Sequence, residues 1–292
     1  MKARWLVNLV LLLLVAGIVT FLYVRPQSED TGQKSHALST HKLADFSRIR
    51  GEFPTQAPAV FEKVDGYWRI AEPFSARADQ MSIQRILSIV AAESQDKFPA
   101  TELARFGLDK PKLKLVLDDE AFLFGTYNPV SGEQYVAHQD AVYLLSPVYA
   151  ESASIQIEEL IDKNPLKPTE TAAGFDFSRL EQWEDIRLNV DLVDGNWQTT
   201  PSNLKFSQEG MNTWLESTWV NARAKSVEPY TPDRRQTYPS FEVTLKDGGK
   251  VHFDKLQESP ELLLGRPDEG MLYHIEPDVG FTMLNPPVTR PE

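Results

Sequence analysis

The most apolar part of the chain is an uninterrupted run near its start. Between residues 5 and 24 only Asn8 and Thr20 are clearly polar. At about 1.5 Å per residue, an α-helix of this length just crosses a hydrocarbon core of about 30 Å. The pattern therefore predicts a transmembrane anchor (residues 1–25), with the lipid bilayer as its partner.

A cleaved signal peptide is the competing interpretation, because the segment is N-terminal and follows positive charge. Its apolar stretch is longer than the usual roughly 7–15 residues, however, and the small-residue pair Ala16-Gly17 lies inside it. We therefore favour an uncleaved, single-pass anchor. Lys2 and Arg4 outweigh the nearby Arg25, which favours a cytoplasmic N-terminus and an exported body.

A polar stretch at 26–44 predicts a flexible linker, and after it the chain repeats one pattern. Val-Asp-Gly-x-Trp occurs at 64–68 and again at 193–197, and a shift of 128 then relates two copies over nearly fifty residues. This shift pairs Pro73 with Pro201, Gln80 with Gln208, Leu87 with Leu215 and Leu117 with Leu245. Weaker echoes pair 45–48 with 176–179 upstream, and 122–125 with 262–265 downstream. The ordered series predicts two copies of one unit.

Each copy predicts the same elements in the same order. A strand enters an Asp-Gly hairpin turn, and the return strand carries the Trp. A helix follows, with Asp79 and Ser207 as N-cap candidates and one apolar stripe for packing on a sheet. Short strands complete each copy, the last of them predicted at 281–284, and about a dozen extra residues are expected around 255–260.

The expected fold class is α+β. We expect an N-terminal transmembrane helix and then two tandem similar units, each a mostly antiparallel sheet with one main packed helix. Pro165, Pro168 and the small residues up to Gly174 mark the boundary between the units. The predicted domains are the anchor (1–25), the linker (26–44), a first unit (45–163), an inter-unit linker (164–175) and a second unit (176–292).

Composition removes several classes of function. The chain has 30 Lys plus Arg against 42 Asp plus Glu, for a formal net charge of −12, and it has no Cys. Disulfides and thiolate chemistry are therefore excluded. No nucleic-acid partner is expected, because such a partner requires a basic face.

Motifs in the first copy resemble a bacterial family of unknown function, DUF4340. The residues that carry the resemblance are Tyr67-Trp68-Arg69-Ile70, Pro73, Ala78-Asp79-Gln80, Phe106-Gly107-Leu108-Asp109-Lys110-Pro111, Phe122 to Gly125, Tyr135, and Val142-Tyr143-Leu144-Leu145. The second copy departs from the pattern, with Arg235-Gln236-Thr237 where Gly107-Leu108-Asp109 would align. The resemblance implies an anchored, exported body in a bacterial inner membrane, with some members associated with ABC-type exporters. No catalytic residue is defined for the family, so the resemblance assigns none to this chain.

No pattern for chemistry stands out in the chain. There is no phosphate-binding glycine loop, Gly-x-Ser-x-Gly elbow or His-Glu-x-x-His helix, and neither a cofactor nor a metal is expected. His36 and His41 fit a solvated linker better than a metal site. His138 and His274 could face each other across a pseudo-twofold axis, although partly exposed strand histidines are the simpler interpretation.

Four residues are candidates for an interaction surface. Trp214 and Trp219 lie five apart on the second predicted helix, and we expect them to pack between the copies or against a protein partner. Arg234 and Arg235 form the only Arg-Arg pair, in a predicted loop that could meet an anionic partner.

The favoured function is a non-catalytic, membrane-tethered envelope protein that mediates protein interactions, with an accessory role in an ABC-type exporter implied by the resemblance alone. We expect a membrane or envelope protein as its partner. Two alternatives stay open: an enzyme acting on an envelope polymer, and a small-molecule binding module with its site between the two units.

Overall fold

The structure is a computed structural model that describes Val15, residues 35–233 and residues 235–290. Within these residues it is an α+β protein built from antiparallel sheets and a few helices. None of the described helices has both the length and the apolar character needed to cross a bilayer. The predicted membrane span at 5–24 lies outside the described residues, apart from Val15.

The first half of the chain forms a nine-stranded sheet, called the first sheet, and a two-stranded one. The strands are β1 (His36–Ala37), β2 (Arg48–Glu52), β3 (Ala59–Val64), β4 (Tyr67–Glu72), β5 (Ala76–Arg77), β6 (Glu93–Ser94), β7 (Lys97–Pro99), β8 (Leu113–Leu117), β9 (Glu120–Tyr127), β10 (Gln134–His138) and β11 (Ala141–Leu145). Across the first sheet the order is β5-β4-β3-β2-β8-β9-β10-β11-β7, and β1 pairs with β6.

The second half forms an eight-stranded sheet, called the second sheet. Its strands are β12 (Ala172–Asp176), β13 (Asn189–Val193), β14 (Asn196–Thr200), β15 (Ser226–Pro229), β16 (Ser240–Leu245), β17 (Lys250–Gln257), β18 (Leu262–Arg266) and β19 (Met271–Ile275). Their order is β14-β13-β12-β16-β17-β18-β19-β15. The eight strands β4-β3-β2-β8-β9-β10-β11-β7 of the first sheet therefore have the same spatial order as the second sheet. They also follow one another along the chain in the same succession.

Two α-helices accompany each sheet, where one main helix was expected. They are α1 (Gln80–Leu87) and α2 (Val148–Ala153) for the first sheet, and α3 (Gln208–Leu215) and α4 (Pro277–Leu284) for the second. The strand predicted at 281–284 is wrong, because that segment is the end of α4. Val279, Phe281 and Met283 alternate as a strand would, but Pro277 at the first helical turn favours a helix start.

The topology also corrects the alignment of the weaker echoes. Residues 45–48 come before or at the start of β2, whereas 176–179 lie at or beyond the end of β12. Residues 122–125 lie in β9, whose counterpart in the sheet is β17, whereas 262–265 lie in β18. With β9 and β17 each eight residues long, the expected dozen extra residues are not there. Neighbouring strands share one alternating pattern, so the pattern alone allowed a slip by one strand.

The hairpin and the first helix of each half are joined by the same pair of glutamine side-chain hydrogen bonds. The Trp68 backbone N–H donates to Gln80 Oε1 at 2.9 Å, and Gln80 Nε2 donates back to the Trp68 carbonyl at 3.0 Å. Trp197 and Gln208 make the same pair of bonds at 2.7 and 2.9 Å. In each half a glutamine side chain thus satisfies the backbone of one hairpin strand, and in the first half the Trp68 carbonyl also accepts the Ala78 N–H at 3.2 Å.

Both predicted N-caps are confirmed. The Asp79 carboxylate accepts the Ser82 N–H at 2.8 Å, and the Ser207 hydroxyl accepts the Gly210 N–H at 3.0 Å. Each bond satisfies one of the N–H groups that a helix start leaves without an intrahelical partner.

Part of the predicted flexible linker is docked on the first half. His36 and Ala37 pair with β6, and the Leu38 N–H donates to the Ala92 carbonyl at 3.0 Å. The Leu38 side chain is buried. Because this apolar residue and these backbone groups find partners in the body, residues 35–38 belong to the fold and not to a free tether.

Candidate functional site

The two halves meet at a cluster of charged side chains, called here the junction. Arg77 on β5 donates to the Asp162 carboxylate and to the carbonyls of Asn164 and Leu166. It also reaches the second half, bonding Glu269 at 3.2 Å and the Tyr273 hydroxyl at 2.9 Å. All five guanidinium N–H groups thus have acceptors, which is the full donor capacity of an arginine.

Arg266, the last residue of β18, is the second arginine of the junction and is completely buried. It makes a bidentate pair with Glu170, at 2.7 and 2.8 Å, and bonds Asp268 through two nitrogens at 3.0 and 3.1 Å. Its fifth donor goes to the Pro165 carbonyl at 2.8 Å. The segment between the sheets is therefore bound from both sides by saturated arginines.

The junction shifts the titration of its own groups. Burial alone would raise the pKa of Glu170, but the hydrogen bonds from Arg266 and from the Lys167 backbone hold that pKa below its ordinary value. Burial raises the pKa of the Tyr273 phenol. Both groups keep one protonation state near neutral pH, so the hydrogen bonds of the junction do not change with pH in that range.

A different kind of site lies on the helix side of the first sheet. A cleft of about 460 Å³, called here the cleft, opens between β2, β3, the end of α1 and residues 153–160. Its walls include Ile49, Phe61, Ile86 and Leu115, which are apolar and buried. This volume is in the range of small-molecule pockets.

The mouth of the cleft is polar. Gln56, Gln156 and Glu158 line it and are exposed, and Glu158 is the one charged residue among the described lining residues. An apolar interior with a carboxylate at its opening suits a ligand that has an apolar body and a positive end.

The structure places Trp214 and Trp219 inside the second half. Both side chains are buried, at 4% and 3% exposure, and Trp214 packs edge-on against Phe175. Their indole N–H groups donate to the carbonyls of Thr282 at 2.7 Å and Met283 at 3.4 Å. These carbonyls belong to the last turn of α4, where Thr282 also accepts the Asn285 backbone N–H at 3.3 Å.

Trp183 completes this arrangement, because its indole N–H donates to the Leu284 carbonyl at 2.9 Å. Three tryptophans thus cap one helix C-terminus and hold it on the sheet. This leaves little indole surface for a partner, although Trp219 also lines a cavity beside Leu166 and Pro168 of the inter-unit segment.

The remaining candidates do not come together. Arg235 is almost fully exposed, 3.9 Å from Asp233, and Arg234 lies outside the described residues. His138 and His274 lie in different sheets and have different surroundings. His138 is buried against Phe122, with Nδ1 3.0 Å from the Ala121 carbonyl, whereas His274 lies between two glutamates.

Sequence reasoning missed both the junction and the cleft. One signal for the junction was present, since Arg266 follows His138 by the same shift of 128 and ends the equivalent strand. Within residues 35–233 and 235–290, no group of three or more His, Asp or Glu side chains is placed to hold a metal ion.

The fold defines an antiparallel α+β protein with two sheets of one strand order joined at a charged junction. The family model described as Domain of unknown function (DUF4340) matches residues 68–239, from β4 of the first hairpin through the segment between the sheets to the residue before β16. This is more than half of the chain, which therefore belongs to that family, as the motifs of the first copy suggested. Neither the curated proteins nor the solved structures gave a match.

Proposed function

We propose that this protein is a membrane-tethered, non-catalytic envelope protein that mediates protein interactions. In this proposal residues 5–24 span the inner membrane, the N-terminus is cytoplasmic, and the two-sheet body is periplasmic or extracytoplasmic. The partner is a membrane or envelope protein, and an ABC-type exporter is the specific candidate. We also infer that the body arose as two tandem copies of one unit.

The observation that supports this function most is the junction. Arg77, Glu269 and Tyr273 join the two sheets through hydrogen bonds between residues about 190 positions apart in the chain. A saturated, buried charge network leaves the two sheets little freedom to rock, because any movement exposes a charge without its partner. A fixed pair of sheets offers a partner one broad, preorganised surface.

The experiment that tests this function is affinity purification of the full chain from mild detergent extracts at its native expression level. Recovery of an exporter membrane subunit in fixed stoichiometry supports the proposal. Arg235→Glu serves as the surface variant, since this exposed loop residue can be changed without touching the junction. Absence of any stable partner, with the protein folded and in the membrane fraction, contradicts it.

Location is tested separately. Alkaline phosphatase and green fluorescent protein are fused in turn after residue 292. An active phosphatase and a dark fluorescent protein are expected for an exported body. The reverse pattern overturns the topology while leaving the interaction proposal to the purification experiment.

A second candidate, the small-molecule module with its site between the units, also has an observation in its favour. A cavity of about 330 Å³ lies beside the junction, lined by Trp68, Arg69 and Gln80 of the first half and by Lys167 and Thr169 of the inter-unit segment. The Arg69 side chain makes no hydrogen bond or ion pair with any described residue, so its guanidinium donors remain available. Binding of inorganic phosphate that is lost in Arg69→Gln would support this alternative.

A further inference from the structure

The cleft occupies the place that an indole ring fills in the other half of the molecule. Ile86 lies seven residues after the N-cap Asp79, and Trp214 lies seven residues after the N-cap Ser207. Both side chains are buried on the sheet-facing side of equivalent helices. The first half thus has an aliphatic side chain and a cleft at the position where the second half has a tryptophan.

The surroundings of the two positions correspond as well. Ile86 shares the cleft with Ala153, at the end of α2, while the Trp214 indole bonds Thr282 near the end of α4. On the sheet side, Leu115 of β8 lines the cleft, and its counterpart strand β16 supplies Val243 to the core of the second half. A planar aromatic ring is therefore the shape that this architecture accommodates between sheet and helices.

Charge at the mouth defines the other end of the ligand. Glu158 is the one charged residue among the described lining residues, and its carboxylate makes no hydrogen bond or ion pair with another described residue. A carboxylate at the opening of an apolar cavity attracts a cation and repels an anion, with less screening than in bulk water.

We propose that the cleft binds a small aromatic molecule with a positively charged substituent. The ring lies between the first sheet and α1, where Trp214 lies in the second half, and the cation lies at the mouth beside Glu158. This binding site is independent of the interaction function proposed above, which relies on the junction.

The test uses three probes that share the indole ring and differ in charge: tryptamine is positive, indole is neutral and indole-3-acetate is negative. Isothermal titration calorimetry on the folded protein is expected to rank them tryptamine, indole, indole-3-acetate, with about a tenfold affinity difference between the first and the last. Glu158→Gln is expected to reduce that difference to about twofold or less. Glu159→Gln is the matched control, because this neighbouring exposed glutamate pairs with Lys163 and does not line the cleft.

A second set of variants fills the cleft. Ile86→Trp copies the second half and is expected to weaken tryptamine binding at least tenfold while circular dichroism stays unchanged. If that variant does not fold, Gly51→Val serves instead, since a Cβ on Gly51 meets only the Phe53 ring, at an ordinary 3.5 Å.

The proposal is overturned by any of three results. These are no measurable binding of the three probes, a ranking that favours indole-3-acetate, or undiminished tryptamine binding in a folded variant with a filled cleft. An unchanged ranking in Glu158→Gln would remove the assigned cation position.

Discussion

The two sheets have one strand order but different fillings on their helix-covered faces. In the second half, Trp214 and Trp219 pack with the rings of Phe175, Phe241 and Phe253 in a continuous aromatic cluster. In the first half, the cleft is lined mainly by aliphatic side chains, with Phe53 and Phe61 as its aromatic residues. One topology therefore supports both a closed core and an open one, because hydrogen-bonded strands fix the frame while side-chain volume decides what space remains.

A similar contrast holds at the last residues of β10 and β18. Arg266 is buried with every donor satisfied, whereas His138 is buried with Nε2 unpaired among the described residues. The nearest carboxylate, Glu120, is 3.7 Å from that nitrogen. At this pair of strand ends the second half is thus the more completely satisfied, and its buried arginine is one of the groups that hold the junction.

The largest expected difference between the two halves is the loss of stability on substitution at the two equivalent helix positions. Trp214→Ala should cost about 5 kcal/mol, because it leaves a cavity and also removes one of the two donors to the Thr282 carbonyl. Ile86→Ala should cost only about 2 kcal/mol, since this side chain already borders the cleft. Urea unfolding monitored by circular dichroism measures both, and equal losses would mean that the two cores are alike.

The strand-end residues provide the next largest effect. Arg266→Met should lower stability by about 3–4 kcal/mol, because Glu170 loses its bidentate partner while it remains mostly buried. His138→Leu should cost about 1 kcal/mol, which corresponds to the one hydrogen bond to Ala121. The same unfolding assay applies, and a larger loss for His138 than for Arg266 would reverse the comparison.

The two glutamines should behave alike. Gln80→Ala and Gln208→Ala each remove two bonds to the backbone of one hairpin strand, and each should cost about 1–2 kcal/mol. Hydrogen exchange at the Trp68 and Trp197 amides reports the loss locally. Accelerated exchange at one site only would show that this device is not equivalent in the two halves.

The smallest effect concerns pH. Since the folded-state pKa of Glu170 lies below its ordinary value, its contribution to stability is complete above about pH 4.3 and is lost as pH falls through the folded pKa. Thermal unfolding between pH 3 and 6 should therefore be less pH-dependent in Glu170→Gln. An unchanged pH profile would indicate that Arg266 does not hold that carboxylate charged.

Local signals in the sequence were sufficient to predict much of this fold. Asp-Gly turns located both hairpins, Asp79 and Ser207 located two helix starts, and a constant shift related the copies as far as β16. Beyond that point the prediction slipped by one strand, since alternating apolar residues look the same in β9 and β10. The helix α4 was missed for the related reason that its own apolar residues alternate.

The site could not be predicted in the same way. Arg77 and Glu269 are 192 residues apart, and no local pattern links a guanidinium to a carboxylate at that separation. The cleft depends on the volume left between Ile86 and the sheet, which periodicity does not encode. The spacing of Trp214 and Trp219 predicted an interaction surface, but only the fold shows that their N–H groups cap α4.

That capping has a consequence for how the chain matures. During synthesis, the carbonyls that accept from Trp214 and Trp219 are made 68 and 64 residues later than these indoles. The carbonyl that accepts from Trp183 is made 101 residues later. At about 5–20 residues per second, a nascent chain leaves these indoles uncovered for several seconds. A chaperone that recognises exposed aromatic side chains would find its binding site in that interval, and would lose it once residues 282–284 arrive.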